Sequence, residues 1–349
     1  MSQNCRVLVT GAGSGVGQGI IKSLNKSDLP LTIVSCDISP MNAALYRTKE
    51  SILIPRVESN NALSEIIDLL LKHKIDMVMI GSEYDLKFFS RNKSKIEELT
   101  GSRVITAPLK TVEIADDKWL TAEFLRLNNL PYAESFISDS IASVCEKARN
   151  WNYPVIVKAR RGTSSRNVHL VVDEKQLISS WEMTPNPMLQ KLINTPDEEL
   201  NSEYTSSLFK DAQGNIFGPF HARRTLRSGT SWQIEVERFE IFDELLLSIG
   251  NSLDFEGSLN VQFMVGNFGP IPFEINARFS GTTAIRAHFG FNEPEMTVQS
   301  FFYGAPIAKP RIKSGIAFRY HEEVFVDGVK LDILKTHPRF IWGIVEKWF

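Results

Sequence analysis

Short β-branched runs alternate with amphipathic segments from Arg6 to about Thr106. The runs are RVLVT (Arg6–Thr10), LTIVSC (Leu31–Cys36), SILI (Ser51–Ile54), MVMIG (Met77–Gly81) and RVITA (Arg103–Ala107). Between two of them, Asn61 to Lys72 sets Leu63, Ile66, Ile67 and Leu70 on one helical face. Strands alternating with helices predict a parallel, doubly wound sheet. After Pro108 the texture changes. A helix is predicted from Lys118 to Leu127, where the preceding Asp116-Asp117 pair can accept free backbone amides. A strand-loop-strand unit follows over Tyr153–Val172, and from Met188 to about Ile275 the pattern is of antiparallel strands, with a turn at Asp211–Gly214. The expectation is α/β followed by α+β, divided at 1–110, 111–187, 188–312 and 313–349. The last segment has strand character in GIAFRYHEEVFV (Gly315–Val326) and an aromatic end in Trp342, Trp348 and Phe349. It reads as cover for the preceding region or as part of a dimer interface. No internal repeat, low-complexity tract or long linker interrupts the chain.

Composition narrows the function classes more than the architecture. At 349 residues the chain exceeds what a single core fills, so it is expected to be multi-domain. A formal charge of -2 with 23% charged residues offers no electrostatic excess to hold nucleic acid or an anionic membrane. Cys5, Cys36 and Cys145 lie far apart, without a CxxC pair, and read as reduced buried hydrophobes. With no long apolar stretch, the expected location is the cytoplasm.

Two segments carry candidate chemistry. TGAGSGVG (Thr10–Gly17) places Gly11, Gly15 and Gly17 in a dinucleotide-type spacing, and Asp37 closes the next strand about 20 residues on, where an acid would hold a ribose hydroxyl. An NAD(P)-dependent short-chain dehydrogenase or epimerase would also need a tyrosine with a lysine four residues later, and none of the seven tyrosines has one. The other reading is that these glycines only let a strand turn sharply into a closely packed helix.

The second segment is FEINARFSGTT (Phe273–Thr283). Glu274 and Asn276 alternate onto one strand face with Arg278 after them, and Gln262 sits on a strand that a Gly266–Pro270 turn would pair with theirs. Oxygen donors of this kind suit Mg²⁺ carried on nucleotide phosphates, and a guanidinium beside them suits a transferring phosphoryl group. A salt bridge between Glu274 and Arg278 at a strand end is the plainer alternative. Lys158 ends the apolar strand YPVIVK and faces the hydroxyl- and arginine-rich loop ARRGTSSR, a phosphate-gripping arrangement if it is not simply a solvated basic loop.

With these segments in order, the chain resembles an ATP-grasp enzyme, nearest to one half of the carbamoyl-phosphate synthetase large chain. The resemblance implies a Rossmann-like preATP-grasp domain (1–110) that does not use NAD. It implies a two-lobed ATP-grasp domain after it, with the small lobe at 111–187 and the central lobe at 188–312. By matched position, Lys118 and Lys158 are implied to bind phosphate, with Ser164 and Ser165 in the flap Arg160–Asn167. Gln190, Lys191 and Leu192 fall in the adenine hinge, and Glu203 is the ribose acid. Gln262, Glu274 and Asn276 resemble the metal ligands, for Mg²⁺ or Mn²⁺, and Arg278 lies near the γ-phosphate. The flap has one glycine, Gly162, where relatives carry several, and Lys191 stands where an acid is usual. No glutaminase segment and no second ATP-grasp copy is present, so carbamoyl-phosphate synthesis itself is not expected.

The activity implied is an ADP-forming carbon–nitrogen ligase that phosphorylates a small-molecule carboxylate, such as an amino acid or a sugar acid, for attack by an amine. Arg223, Arg224, Arg227 and Arg286 are candidate forks for the carboxylate, each also readable as part of a solvated basic strand. His221, His288 and His321 are read as packing or surface residues. A non-catalytic nucleotide-binding protein is the remaining alternative, and a homodimer is an oligomeric state the resemblance allows.

Overall fold

The computed structural model describes residues 3–162, 167–195 and 203–321. The first layer holds β1 (Cys5–Val9), α1 (Gly15–Leu24), β2 (Leu31–Asp37), β3 (Glu50–Leu53), α2 (Ala62–Lys72), β4 (Met77–Met79), α3 (Glu83–Thr100) and β5 (Arg103–Ile105). Its strands form a parallel sheet of order β3-β2-β1-β4-β5. Val7, Val9, Val34, Met77, Val78 and Val104 are wholly buried, as both-face coverage by helices requires. The order reverses between β1 and β4, and the loops after these two strands, at Thr10–Ser14 and Ile80–Ser82, lie side by side. A crevice at such a switch point is where open α/β sheets take ligands.

Two helices, α4 (Leu109–Asp116) and α5 (Lys118–Leu127), lead into the second layer. Asp117 caps α5 by accepting the Trp119 and Leu120 amides at 3.0 and 3.4 Å, which is why the helix begins at Lys118. Next come β6 (Ser135–Phe136), α6 (Ile141–Trp151), β7 (Val155–Ala159), β8 (Val168–Val171), α7 (Glu174–Met183) and β9 (Pro187–Lys191). They give a small antiparallel sheet of order β6-β9-β7-β8 with its own core of Val144, Val155, Val157, Leu177 and Leu189.

The third layer is built from β10 (Glu203–Lys210), β11 (Ile216–Arg227), β12 (Thr230–Val236), α8 (Asp243–Ser252), β13 (Gly257–Gly266), β14 (Gly269–Asn276), α9 (Thr283–His288), α10 (Glu293–Phe301) and β15 (Gly315–Phe318). Its sheet runs β14-β13-β10-β11-β12-β15. Two tight turns set the register. Ser228 and Gly229 both take positive φ, 50° and 71°, as a two-residue hairpin turn joining β11 to β12 demands. At the Asp211–Gly214 turn the Asp211 carboxylate accepts the Gln213 and Asn215 amides at 2.9 and 2.7 Å. Of the strand expected in Gly315–Val326, Gly315–Phe318 forms the sheet edge beside β12, and 322–349 lie outside the described residues.

The first and third layers share a core in which Val34, Val78 and Phe89 meet Phe242, Leu259 and Phe263. Within the third layer, Arg286 Nε lies 2.8 Å from Glu293 Oε2, both side chains almost fully enclosed. Glu293 Oε1 also accepts from Ser207 and Ser258, and Arg286 Nη2 donates to Ser280 Oγ at 2.7 Å. The Phe279–Thr283 turn is thereby tied to the sheet beneath it.

Candidate functional site

A cleft of about 470 Å³ opens where the three layers meet. Its floor is the β13–β14 hairpin, in which Gln262 pairs directly with Glu274 and Asn260 with Asn276. Alternation puts Gln262, Glu274 and Asn276 on the cleft face, and all three converge on one atom: Asn276 Nδ2 and Gln262 Nε2 reach Glu274 Oε1 at 3.0 and 3.4 Å. The amide nitrogens and oxygens exchange places by a simple flip, so the same triad can turn oxygen toward a cation. One carboxylate with two amides is a poor cage for a free metal, and among the described residues no cluster of three or more His, Cys, Asp or Glu could hold one. It is a suitable set for Mg²⁺ that arrives on phosphates and keeps several of its own oxygen ligands.

Cations face this floor from two directions. Lys158, at the buried end of β7, donates to Gln190 Oε1 at 2.9 Å, and Gln190 in turn donates to Ser135 Oγ at 3.0 Å. Burial, and then the nearby Lys118, lower the Lys158 ammonium from 10.5 to about 7. Lys118 heads α5 and donates to the Gly162 carbonyl at 2.8 Å, and its own amide bonds the Arg160 carbonyl at 2.9 Å. Arg160 pairs with Asp117 at 2.7 Å. The start of the flap is therefore fastened to α5, while Ser164 and Ser165 lie outside the described residues. From the other side comes Arg278, whose Nη1 donates to the Phe279 carbonyl at 2.8 Å and whose Nη2 meets Glu83 Oε2 at 2.5 Å.

The far end of the cleft is lined by Gln190, Lys191, Leu192 and Ile193 on one side and Met264 and Phe273 on the other. Leu192, Ile193, Met264 and Phe273 give this end an apolar lining of the kind small-molecule pockets present. The Lys191 side chain leaves it and pairs with Glu134 at 2.6 Å, so the unexpected residue type at this position does not intrude. Glu203 lines the same end, in an ion pair with Arg224, which also donates to Ser231 Oγ at 3.1 Å.

The four arginines proposed for the carboxylate separate, and this corrects the sequence reading. Only Arg224 lines the cleft. Arg223 and Arg227 have the opposite parity on β11, where Arg223 pairs with Glu235 at 2.5 Å and Arg227 stacks on the Trp232 ring at 4.7 Å. Arg286 is enclosed behind the 279–283 turn with Glu293. Among the lining groups that went unanticipated are Glu83, Arg319 and Asn260. Asn260 is legible from its pairing with Asn276, whereas Glu83 and Arg319 reach the cleft from distant segments.

The glycine turn also lines the cleft, at Ser14, Gly15 and Val16. Asp37 is engaged with the turn itself, accepting the Gly13 and Ile38 amides at 2.9 and 2.8 Å. Both of its oxygens thereby hold the loop, and the tyrosine–lysine pair that a dehydrogenase would need is lacking.

These layers have close counterparts among solved proteins. N5-carboxyaminoimidazole synthetase from Staphylococcus aureus, complexed with ADP, superimposes with a TM-score of 0.72 over 89% of this chain and 81% of its own, at 15% identity. The biotin carboxylase domain of the Hydrogenobacter thermophilus 2-oxoglutarate carboxylase, in complex with MgADP and bicarbonate, gives a TM-score of 0.72 over 89% and 73%, at 15% identity. The chain has the ATP-grasp fold. Residues 7–105 match the family described as PylC-like, N-terminal domain. The resemblance to one half of a carbamoyl phosphate synthase large chain holds in sequence too. The arginine-specific large chain of Schizosaccharomyces pombe is 22% identical over 314 residues, 80% of this chain and 26% of the relative. That of Neurospora crassa is 24% identical over 204 residues, 54% and 17%. The chain thus spans about a sixth to a quarter of those relatives' length. Among the described residues no helix is long and apolar enough to cross a membrane.

Proposed function

We propose that the protein is an ATP-dependent carboxylate–amine ligase that forms ADP and works through an acyl phosphate. The observation that carries this reading is the meeting, in one cleft, of the Gln262–Glu274–Asn276 triad with Lys118, Lys158 and Arg278. A polyphosphate and a carboxylate repel each other, and bringing them together demands concentrated positive charge with few mobile waters. Adenine would lie against Leu192, Met264 and Phe273, the ribose beside Glu203, and the phosphates over Lys118 and Lys158. Mg²⁺ would be held by Glu274, Gln262 and Asn276 and would supply charge to neutralise the phosphates.

In that arrangement a carboxylate oxygen attacks the γ-phosphorus, and the bond to the bridging oxygen breaks with its electron pair leaving on ADP. The amine then attacks the acyl carbon, phosphate departs with the C–O electron pair, and the amine's proton goes to solvent. Arg278, fixed by the Phe279 carbonyl, would meet the charge on both the phosphoryl and the acyl oxygens. Lys158 takes up a proton as the polyphosphate arrives, because that anion favours the ammonium which burial disfavours.

The test is nucleotide product analysis with Mg·ATP and pooled carboxylates and amines. ADP and phosphate that depend on the carboxylate are expected, with a loss of at least about a hundredfold in Glu274→Gln. AMP and pyrophosphate would defeat the reading.

A further inference from the structure

We infer that the carboxylate substrate is an α-amino acid held as a zwitterion at the glycine-turn end of the cleft, its carboxylate on Arg278 and Arg319 and its ammonium on Glu83. This rests on the ligase reading above and names its substrate class.

The two guanidiniums hang from the same turn. Arg278 Nη1 donates to the Phe279 carbonyl at 2.8 Å, and Arg319, just beyond β15, donates Nη2 to the Gly281 carbonyl at 2.7 Å. Each is thus fixed in place, and each has a buried Nε without a hydrogen-bond partner. Groups held that way, lining a cleft, are set for an anion. The Arg278 side chain is 11% exposed, which makes its only ionic partner among the described residues, Glu83 at 27%, decisive for what can bind. Glu83 comes from the first layer, at the start of α3, and the pair therefore spans the cleft from wall to wall.

A ligand bearing only a carboxylate would set a second anion beside the Glu83 carboxylate, with Arg278 shared between the two. A zwitterion brings an ammonium to Glu83 together with the carboxylate for the guanidiniums. Two of the hydroxyls at this end are already engaged. Ser14 Oγ is committed to the Gly81 carbonyl at 2.5 Å and to the Gly17 amide at 2.9 Å, and Ser280 Oγ accepts from Arg286 at 2.7 Å and bonds Thr282. At Gly15, where a Cβ would meet nothing within 4 Å, there is instead room for a substrate side chain.

The experiment is calorimetric titration of the full chain, saturated with Mg·AMP-PNP, against pools of the common L- and D-amino acids. Each hit is then compared with its 2-hydroxy analogue and with glucuronate. An amino acid is expected to bind at least about tenfold more tightly than its hydroxy analogue. Glu83→Gln should lower that affinity by about tenfold to a hundredfold, leave the hydroxy analogue binding as well as before or better and Mg·AMP-PNP unchanged, and so erase the preference. Arg319→Met should weaken both acids. Three results overturn the inference while sparing the ligase reading, provided Mg·AMP-PNP binds: no amino acid binds, glucuronate or the hydroxy acid binds equally well, or Glu83→Gln weakens both acids alike. Failure to bind Mg·AMP-PNP overturns the ligase reading, and this inference with it.

Discussion

Lys158 carries the most distinctive chemistry of any single residue. Its folded value of about 7 lies below the ordinary 10.5, so between those limits the folded protein binds fewer protons than the unfolded chain. Stability from this group therefore rises with pH across that window. Polyphosphate binding reverses the shift, and the complex must take up a proton. Titrating Mg·ATP at pH 8 in buffers of different ionisation enthalpy should reveal that uptake, which should fade toward pH 6 and vanish in Lys158→Met. A second residue works in the opposite sense. Burial raises Asp85 from 3.8 to about 6, against a lowering hydrogen bond from Thr10 and with Asp37 and Glu58 adding to the rise. Above pH 6 the fold bears the cost of that ionised group. Asp85→Asn should raise Tm by roughly 2–4 °C at pH 8, with the gain shrinking as pH falls to 4. Neither shift could be read from the sequence, because each depends on what encloses the side chain. The position of Lys158 at a strand end was legible, since it needs only the local apolar run.

The glycine turn shows how the same residue type serves different ends within one element. A Cβ on Gly17 would meet the Gly11 carbonyl oxygen at 2.3 Å and Ala12 Cα at 2.8 Å, both backbone, whereas Gly15 faces open space. Gly17→Ala should therefore cost several kcal/mol or prevent soluble expression, and Gly15→Ala should melt like the parent protein in a thermal scan. The reading that glycines here let a strand turn into a packed helix holds for Gly17. Elsewhere, legibility followed the range of the contact. The Gln262–Glu274 pairing came from a hairpin a few residues long, and hairpins announce themselves by their turns. The arginines of β11 failed for lack of parity: without the Ser228–Gly229 turn and β12, nothing in the sequence said that Arg224 faces inward and Arg223 and Arg227 outward. Glu83 and Arg278, 195 residues apart, meet only because two layers close on each other.

At the scale of the whole molecule the cleft is a joint as much as a pocket, since each of the three layers supplies part of its wall. A ligand that fills it binds the assembled layers and not the separated ones, so its binding energy appears as stability of the whole. The donor set fixes which ligand can do this. Glu274 is the only carboxylate of the Gln262–Glu274–Asn276 triad, and its Oε1 is already shared with two amides. Mg²⁺ by itself would have to break those contacts for one anionic oxygen, a poor exchange for a strongly hydrated ion. ATP by itself would bring its charge to Lys158 and Lys118 but leave Glu274 facing phosphate. Together they complete each other, with the cation between carboxylate and phosphates. In thermal melts Mg²⁺ alone should leave Tm unchanged, ATP with a chelator should raise it slightly, and Mg·ATP should raise it by several degrees, increasing with concentration as mass action requires. Glu274→Gln should reduce the Mg·ATP shift to that of ATP alone without lowering the unliganded Tm. A shift of the same size with Mg²⁺ alone would mean that the cation has a site independent of the nucleotide, and that the triad is not where it binds.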